Sequence, residues 1–160
     1  MAHSLDDVIS GALRVLDRYG LEFCSMRRVA GELGVQPSAL YHHVKDKQTL
    51  LAHMAARIVR EVEVGDDLIA FAHDLRAAML TLRDGAEVVA TASAFRLGVS
   101  DLEADLARRS SPDLARTLWI YVVGHTQATQ LHRQASNLGV IEADPDLDAS
   151  FARGLAIICG

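Results

Sequence analysis

Between Ser25 and Lys47 the chain gathers short polar and cationic side chains: Ser25, Arg27, Gln36, Ser38, Tyr41, His42, His43 and Lys47, with Pro37 and Ala39 among them. Their chemistry suits a partner with hydrogen-bonding edges and negative charge. Serine can bond a base edge or a phosphate, alanine can touch a thymine methyl, and tyrosine can donate to a phosphate. Arg27 can place two parallel N–H groups on a guanine. Metal chemistry fits poorly. His42 and His43 are adjacent, so they point about 100° apart on a helix. His125 and His132 are seven apart on one helical face, but no carboxylate joins them at ligand spacing. His43 is expected to pack within the motif or donate to a phosphate, and neither a metal nor a cofactor is expected. G-x-S-x-G, HExxH, paired CxxC and glycine-rich phosphate loops are all missing, and no nucleophile is placed beside a histidine.

The elements that must hold these groups are legible from spacing. Met26, Val29, Ala30 and Leu33 recur at helical intervals and can share one buried stripe. Ser25 stands at the N-cap position and Gly34 just past the last apolar residue, where a left-handed backbone suits glycine. Val35 plugs the angle, and Pro37 opens a second helix, expected over Pro37–His43, where its missing N–H costs nothing. Leu40 and Val44 face inward from it. Two short helices so joined form a helix-turn-helix, whose second helix can lie in a DNA major groove. A first helix, Leu5–Tyr19, capped by Ser4 with Asp7 three residues on, is expected to brace them with Val8, Ala12, Val15, Leu16 and Tyr19. Leu21 and Phe23 should pack beneath the motif.

The chain has 160 residues, half of them apolar, three prolines and a net charge of −5. Alanine and leucine dominate, which favours an all-α fold. The acidic balance argues against broad coating of nucleic acid, but a local basic surface suffices for a specific site, and Arg27, Arg28, Lys45 and Lys47 supply one. No apolar run is long enough to span a membrane. The N-terminus lacks a basic and an apolar region of the secretory type. A cytoplasmic protein with two reduced thiols, Cys24 and Cys159, is the resulting expectation.

The order Arg27-Arg28-Val29-Ala30, Leu33-Gly34-Val35, Leu40-Tyr41, His43-Val44, Lys47 and Leu50-Leu51 resembles the DNA-binding domain of the tetracycline-repressor (TetR) family, over roughly residues 5 to 60. Leu82-Arg83-Asp84-Gly85-Ala86 resembles the ligand-binding domain of the tetracycline-repressor branch. The resemblance implies an N-terminal three-helix helix-turn-helix domain (1–47), a connecting helix (48–64) and a C-terminal helical domain for ligand binding and dimerisation (65–160). It implies that Arg27 contacts a base, that Gln36 and Pro37 help choose bases, and that Lys47 meets a phosphate. It further implies a homodimer on double-stranded operator DNA, released by a small effector. The family's drug-binding histidines are absent: Val89 stands after the Arg-Asp-Gly-Ala stretch, Glu63 near the end of the fourth helix, and Arg133 replaces an acidic residue on the long helix. A neutral or anionic apolar molecule is therefore expected in place of a magnesium-bound drug.

Beyond the motif, Asp46 should cap a helix running Lys47–Val64, and Asp84 should cap one running Ala86–Leu97. Helices are also expected over Leu68–Leu82, Asp101–Arg109, Pro112–Ser136 and Asp148–Ile158. Small residues beside Phe71, Leu75 and Met79 leave either an apolar cavity or close helix packing. Val89, His125, Gln127, Gln130 and Arg133 would complete a ligand site there. The joins near Gly65 and Arg109–Ser110 read as abrupt for the family, as if loops were missing. An architectural DNA binder without effector, or a small helical enzyme, are the other readings.

Overall fold

A computed structural model describes residues 3–160; Met1 and Ala2, at the start of the expected DNA-binding domain, lie outside the described residues. The described chain is helical throughout, and no helix in it is long and apolar enough to cross a membrane. Helix α1 spans Leu5–Tyr19, α2 Met26–Leu33, α3 Pro37–Leu40 and α4 Lys47–Ile58. The C-terminal half contains α5 (Leu68–Leu80), α6 (Gly85–Ala94), α7 (Ser100–Arg109), α8 (Pro112–Asn137) and α9 (Leu147–Cys159).

The expected caps hold the N-terminal head. Ser4 and Asp7 form a reciprocal capping box on α1. The Ser25 hydroxyl accepts the Arg28 N–H, and Gly34 is left-handed at φ 67°. Val8, Val15, Leu16, Val29, Leu40, Val44 and Leu50 then close a core in which each is at most 1% exposed. Cys24 lies in that core, and burial pushes its thiol up; it and Cys159 are both unpaired.

Two helices are shorter than their spacing predicts. Helix α3 stops at Leu40, and residues 41–43 continue as a turn in which His43 N–H donates to the Leu40 carbonyl. The chain must reverse there so that Val44 can enter the core and Asp46 can cap α4 through the Thr49 N–H at 2.7 Å. Helix α4 ends at Ile58 instead of Val64. After a turn at residues 59–61 the chain is no longer helical: Val62 and Val64 are buried while Glu61 and Glu63 face out, a period of two that a helix cannot produce. Helix α6 likewise ends at Ala94, three residues early, where Arg96 and Gly98 turn left-handed. Both joins thought abrupt are short and ordered: Asp67 caps α5, and Ser111 caps α8.

The C-terminal helices pack around α8, which touches α5, α6, α7 and α9. Helix α4 bridges the halves, lying against α1 on one side and α6 on the other. The α6–α7 loop reinforces this contact at Gly98. A Cβ there would meet the Ala52 carbonyl of α4 at 2.1 Å, whereas one at Gly34 would meet open space. Gly98→Ala should therefore destabilise the fold by more than about 2 kcal/mol, against about 1 kcal/mol for the merely left-handed Gly34→Ala. Urea denaturation of the two variants measures the difference.

Candidate nucleic-acid interface

The head presents most of its polar residues to solvent. Ser25, Arg27, Gln36, Ser38, Tyr41, His42 and Lys47 are exposed, and Pro37, Ala39 and His43 are half-buried. Tyr41 is 53% exposed although it follows the fully buried Leu40, so the α3 turn projects it outward from a rigid base. Lys47 begins α4 directly after the Asp46 cap. Hydrogen bonding to Thr49 holds the Asp46 carboxyl below its ordinary range, which keeps the cap charged.

Tyr19 and Phe23 depart from their expected packing role. They are 37% and 51% exposed, and the Arg28 guanidinium lies over both rings at 4.5 and 5.6 Å. An arginine face satisfies two exposed aromatic rings without burying its charge. The signal was present in sequence as Arg28 beside two aromatics, but spacing alone does not show which face of α1 reaches α2.

The residues expected to bind ligand are not brought together. Phe71, Leu75, Met79 and Val89 are at most 1% exposed, in close packing between α5, α6 and their neighbours. Gln130 serves the backbone: it accepts the Ala86 N–H at 3.1 Å and donates to the Leu82 carbonyl at 2.8 Å. Gln130 thus caps α6, the role expected of Asp84. Arg133 pairs with Asp148 at 2.8 Å and shares with Gln130 the edge of a 220 Å³ pocket. Gln127 is half-buried on α8, and Glu63 lines a 620 Å³ cleft by α7, a different pocket from that of Arg133. Among the described residues no histidine, cysteine and carboxylate cluster could hold a metal.

His125 instead belongs to a buried network built on Arg76, which sequence reading passed over inside an apolar helix. Arg76 is 6% exposed. It donates to Asp148 at 2.7 Å and to His125 Nδ1 at 3.2 Å, and lies 4.3 Å over the Phe151 ring. Ser150 donates to the Leu147 carbonyl, so its oxygen accepts from His125 Nε2 at 3.0 Å. The imidazole is thereby fixed neutral, with its proton on Nε2. Burial, then the adjacent Arg76 charge, pushes the His125 pKa down. Its hydrogen bond from Arg76 holds the Asp148 carboxyl down as well.

Asp84 has a different task from capping. Its backbone is left-handed at φ 57°, which turns the carboxylate toward the head. There it accepts the Leu21 N–H at 2.8 Å and, with its other oxygen, the Gln134 side-chain amide at 2.7 Å. Next to it, Arg83 N–H donates to Asp17 of α1 at 3.1 Å.

A braced helix-turn-helix head clamped to a second helical domain defines a helix-turn-helix transcriptional regulator. The family model for bacterial regulatory proteins of the tetR family matches residues 8–54. The class E tetracycline repressor protein of Escherichia coli is 31% identical over 162 residues, covering 90% of this chain and 77% of that protein. The class C protein of Escherichia coli is 30% identical over 192 residues, covering 96% and 87%. The chain belongs to the tetR family of bacterial regulatory proteins. Mycobacterium smegmatis BioQ matches with a TM-score of 0.89 at 30% identity, over 98% of this chain and 95% of that one. A structure of BioQ with its double-stranded DNA operator matches at 0.77 and 29% identity, over 94% and 98%. A TetR of Acinetobacter baumannii AYE in complex with minocycline matches at 0.72 and 28% identity, over 96% and 93%.

Because the unfolded chain takes up the His125 proton more readily than the folded one, stability should fall as pH drops through the ordinary imidazole range near 6.5 and level off above it. The share from Asp148 persists until the pH falls through the carboxylate range. Thermal melts between about pH 7.5 and about 5.5 should show the loss, and His125→Gln should reduce it.

Proposed function

We propose that this protein is a homodimeric repressor that binds a near-palindromic operator and leaves it when a small effector occupies the C-terminal domain. The observation that carries the reading is the exposed row on the head, with Tyr41 standing out over buried Leu40. Arg27, Ser38, Ala39, Gln36 and Pro37 are assigned to bases, and Ser25, Tyr41, His42, His43 and Lys47 to phosphates or to orienting the helix. Residues 1–47 form the reading unit, 48–64 the connector and 65–160 the regulatory and dimerising unit. Exposed Leu131 and Ile157 on α8 and α9, at 51% and 85%, support pairing of those helices with a second copy. A twofold dimer would set its reading helices about 34–36 Å apart, one turn of DNA.

The regulators among its relatives, an operator complex and a drug complex support this reading over an enzyme. The close packing around Phe71, Leu75, Met79 and Val89 favours the second reading, an architectural DNA binder without effector. Against that reading stand the contacts that would transmit an effector's presence. Helix α4 is pinned between α1 and α6, and Asp84 ties the end of α1 to α8 through Leu21 and Gln134. A hundredfold loss of operator affinity needs only about 2.7 kcal/mol of differential effector binding.

An operator selected from randomised duplexes provides the test. Tyr41→Ala and Lys47→Ala should weaken its binding while leaving the melting temperature unchanged, and Lys47→Ala should lower the salt slope by about one. An unchanged slope would remove the phosphate role of Lys47. Asp84→Asn turns one acceptor into a donor facing N–H groups, so it should cost about 1–3 kcal/mol and speed exchange of the Leu21 amide, read by hydrogen-exchange mass spectrometry.

A further inference from the structure

A pocket of about 480 Å³ opens where the end of α6, α7 and the first half of α8 meet. Its size is that of a small-molecule site. Two guanidinium groups, Arg96 and Arg116, line it, and neither takes part in a salt bridge among the described residues, unlike the neighbouring Arg108 and Arg109. Its one carboxylate, Glu103, already accepts a hydrogen bond from Ser93, whose oxygen in turn accepts the Trp119 indole N–H at 2.9 Å. That chain of bonds fixes the indole as one wall and leaves the cationic groups uncommitted. Trp119, Ile120 and small alanine side chains supply the apolar lining.

Arg96 sits at φ 56° as the left-handed residue that closes α6, its N–H donating to the Ser93 carbonyl at 2.9 Å and the Leu97 N–H to the Ala92 carbonyl at 2.8 Å. Two residues on, Gly98 is seated against the Ala52 carbonyl of α4. A pull on Arg96 therefore reaches, through two peptide units, the helix that begins with Lys47.

We infer that this pocket binds a small organic anion with an apolar body, its acid group held between Arg96 and Arg116 and its body against Trp119 and Ile120. Resting on the effector-responsive reading above, this makes the effector an amphipathic acid and places it at the α6–α7–α8 junction. Bidentate guanidinium contacts select an acid over its neutral amide, and the alanine-lined wall selects a hydrocarbon body over a sugar.

Trp119 is the only tryptophan in the chain, so its fluorescence reports this pocket alone. Octanoate and neutral octanamide are titrated into the full-length protein. Octanoate is expected to give a saturable change at a concentration at least about tenfold lower than octanamide, as charge-assisted bonds require. Arg116→Gln, and separately Arg96→Gln in case the left-handed position tolerates change poorly, should erase that preference, with circular dichroism melts checking the fold. No saturable change, equal binding of the amide, or an undiminished preference in both folded variants would overturn the anion site. Anisotropy of labelled operator at saturating octanoate is the second arm, expected to show weaker DNA binding. Octanoate bound without such weakening would overturn the effector assignment, whereas a protein that binds no selected duplex even without octanoate would overturn the DNA-binding reading beneath it.

Discussion

One carboxylate sets how the two halves of this protein meet. Asp84 gives one oxygen to the Leu21 N–H of the head and the other to Gln134 of the longest helix. It can do so only because its own backbone is left-handed, a state aspartate tolerates better than most residues. The cost of that geometry is that Asp84 no longer caps α6, and Gln130 takes over the cap from across the domain. Together with α4, side chains of the C-terminal helices thus hold the head in place, and any rearrangement of α6 or α8 is felt at the end of α1.

The head was largely legible in the sequence because its signals are local. Ser4, Ser25, Gly34, Pro37 and Asp46 each act on backbone within a few residues, so type and spacing alone place them. The resemblance to a known family then supplied roles that spacing could not. The overlong fourth helix shows where periodicity misleads. Val59 and Val62 fit a helical stripe, yet the alternation Glu61-Val62-Glu63-Val64 is a period-two signal, and the structure follows it.

The regulatory domain was less legible because its contacts join residues about 25 to 70 positions apart. Nothing local to α5 shows what Arg76 does; α8 and α9 fold over it with His125, Ser150 and Asp148. Phe71, Leu75, Met79 and Val89 were sound expectations for a lining by residue type, but core and cavity wall share the same composition. What separates them is whether neighbouring helices close the gap, and a linear pattern does not carry that distance. An open pocket of the domain is marked instead by Arg96, Arg116 and the lone tryptophan.

Arg28 lies over the Tyr19 and Phe23 rings at the edge of the helix-turn-helix head. A long cationic side chain on a protein surface ordinarily samples many rotamers, and each must be given up when a partner arrives. Here that freedom is surrendered while the chain folds, so a partner reaching this edge would meet the charge already aimed. The head behaves in this respect less like a brush of tethered charges than like a printed circuit, with its positive contact laid down in advance.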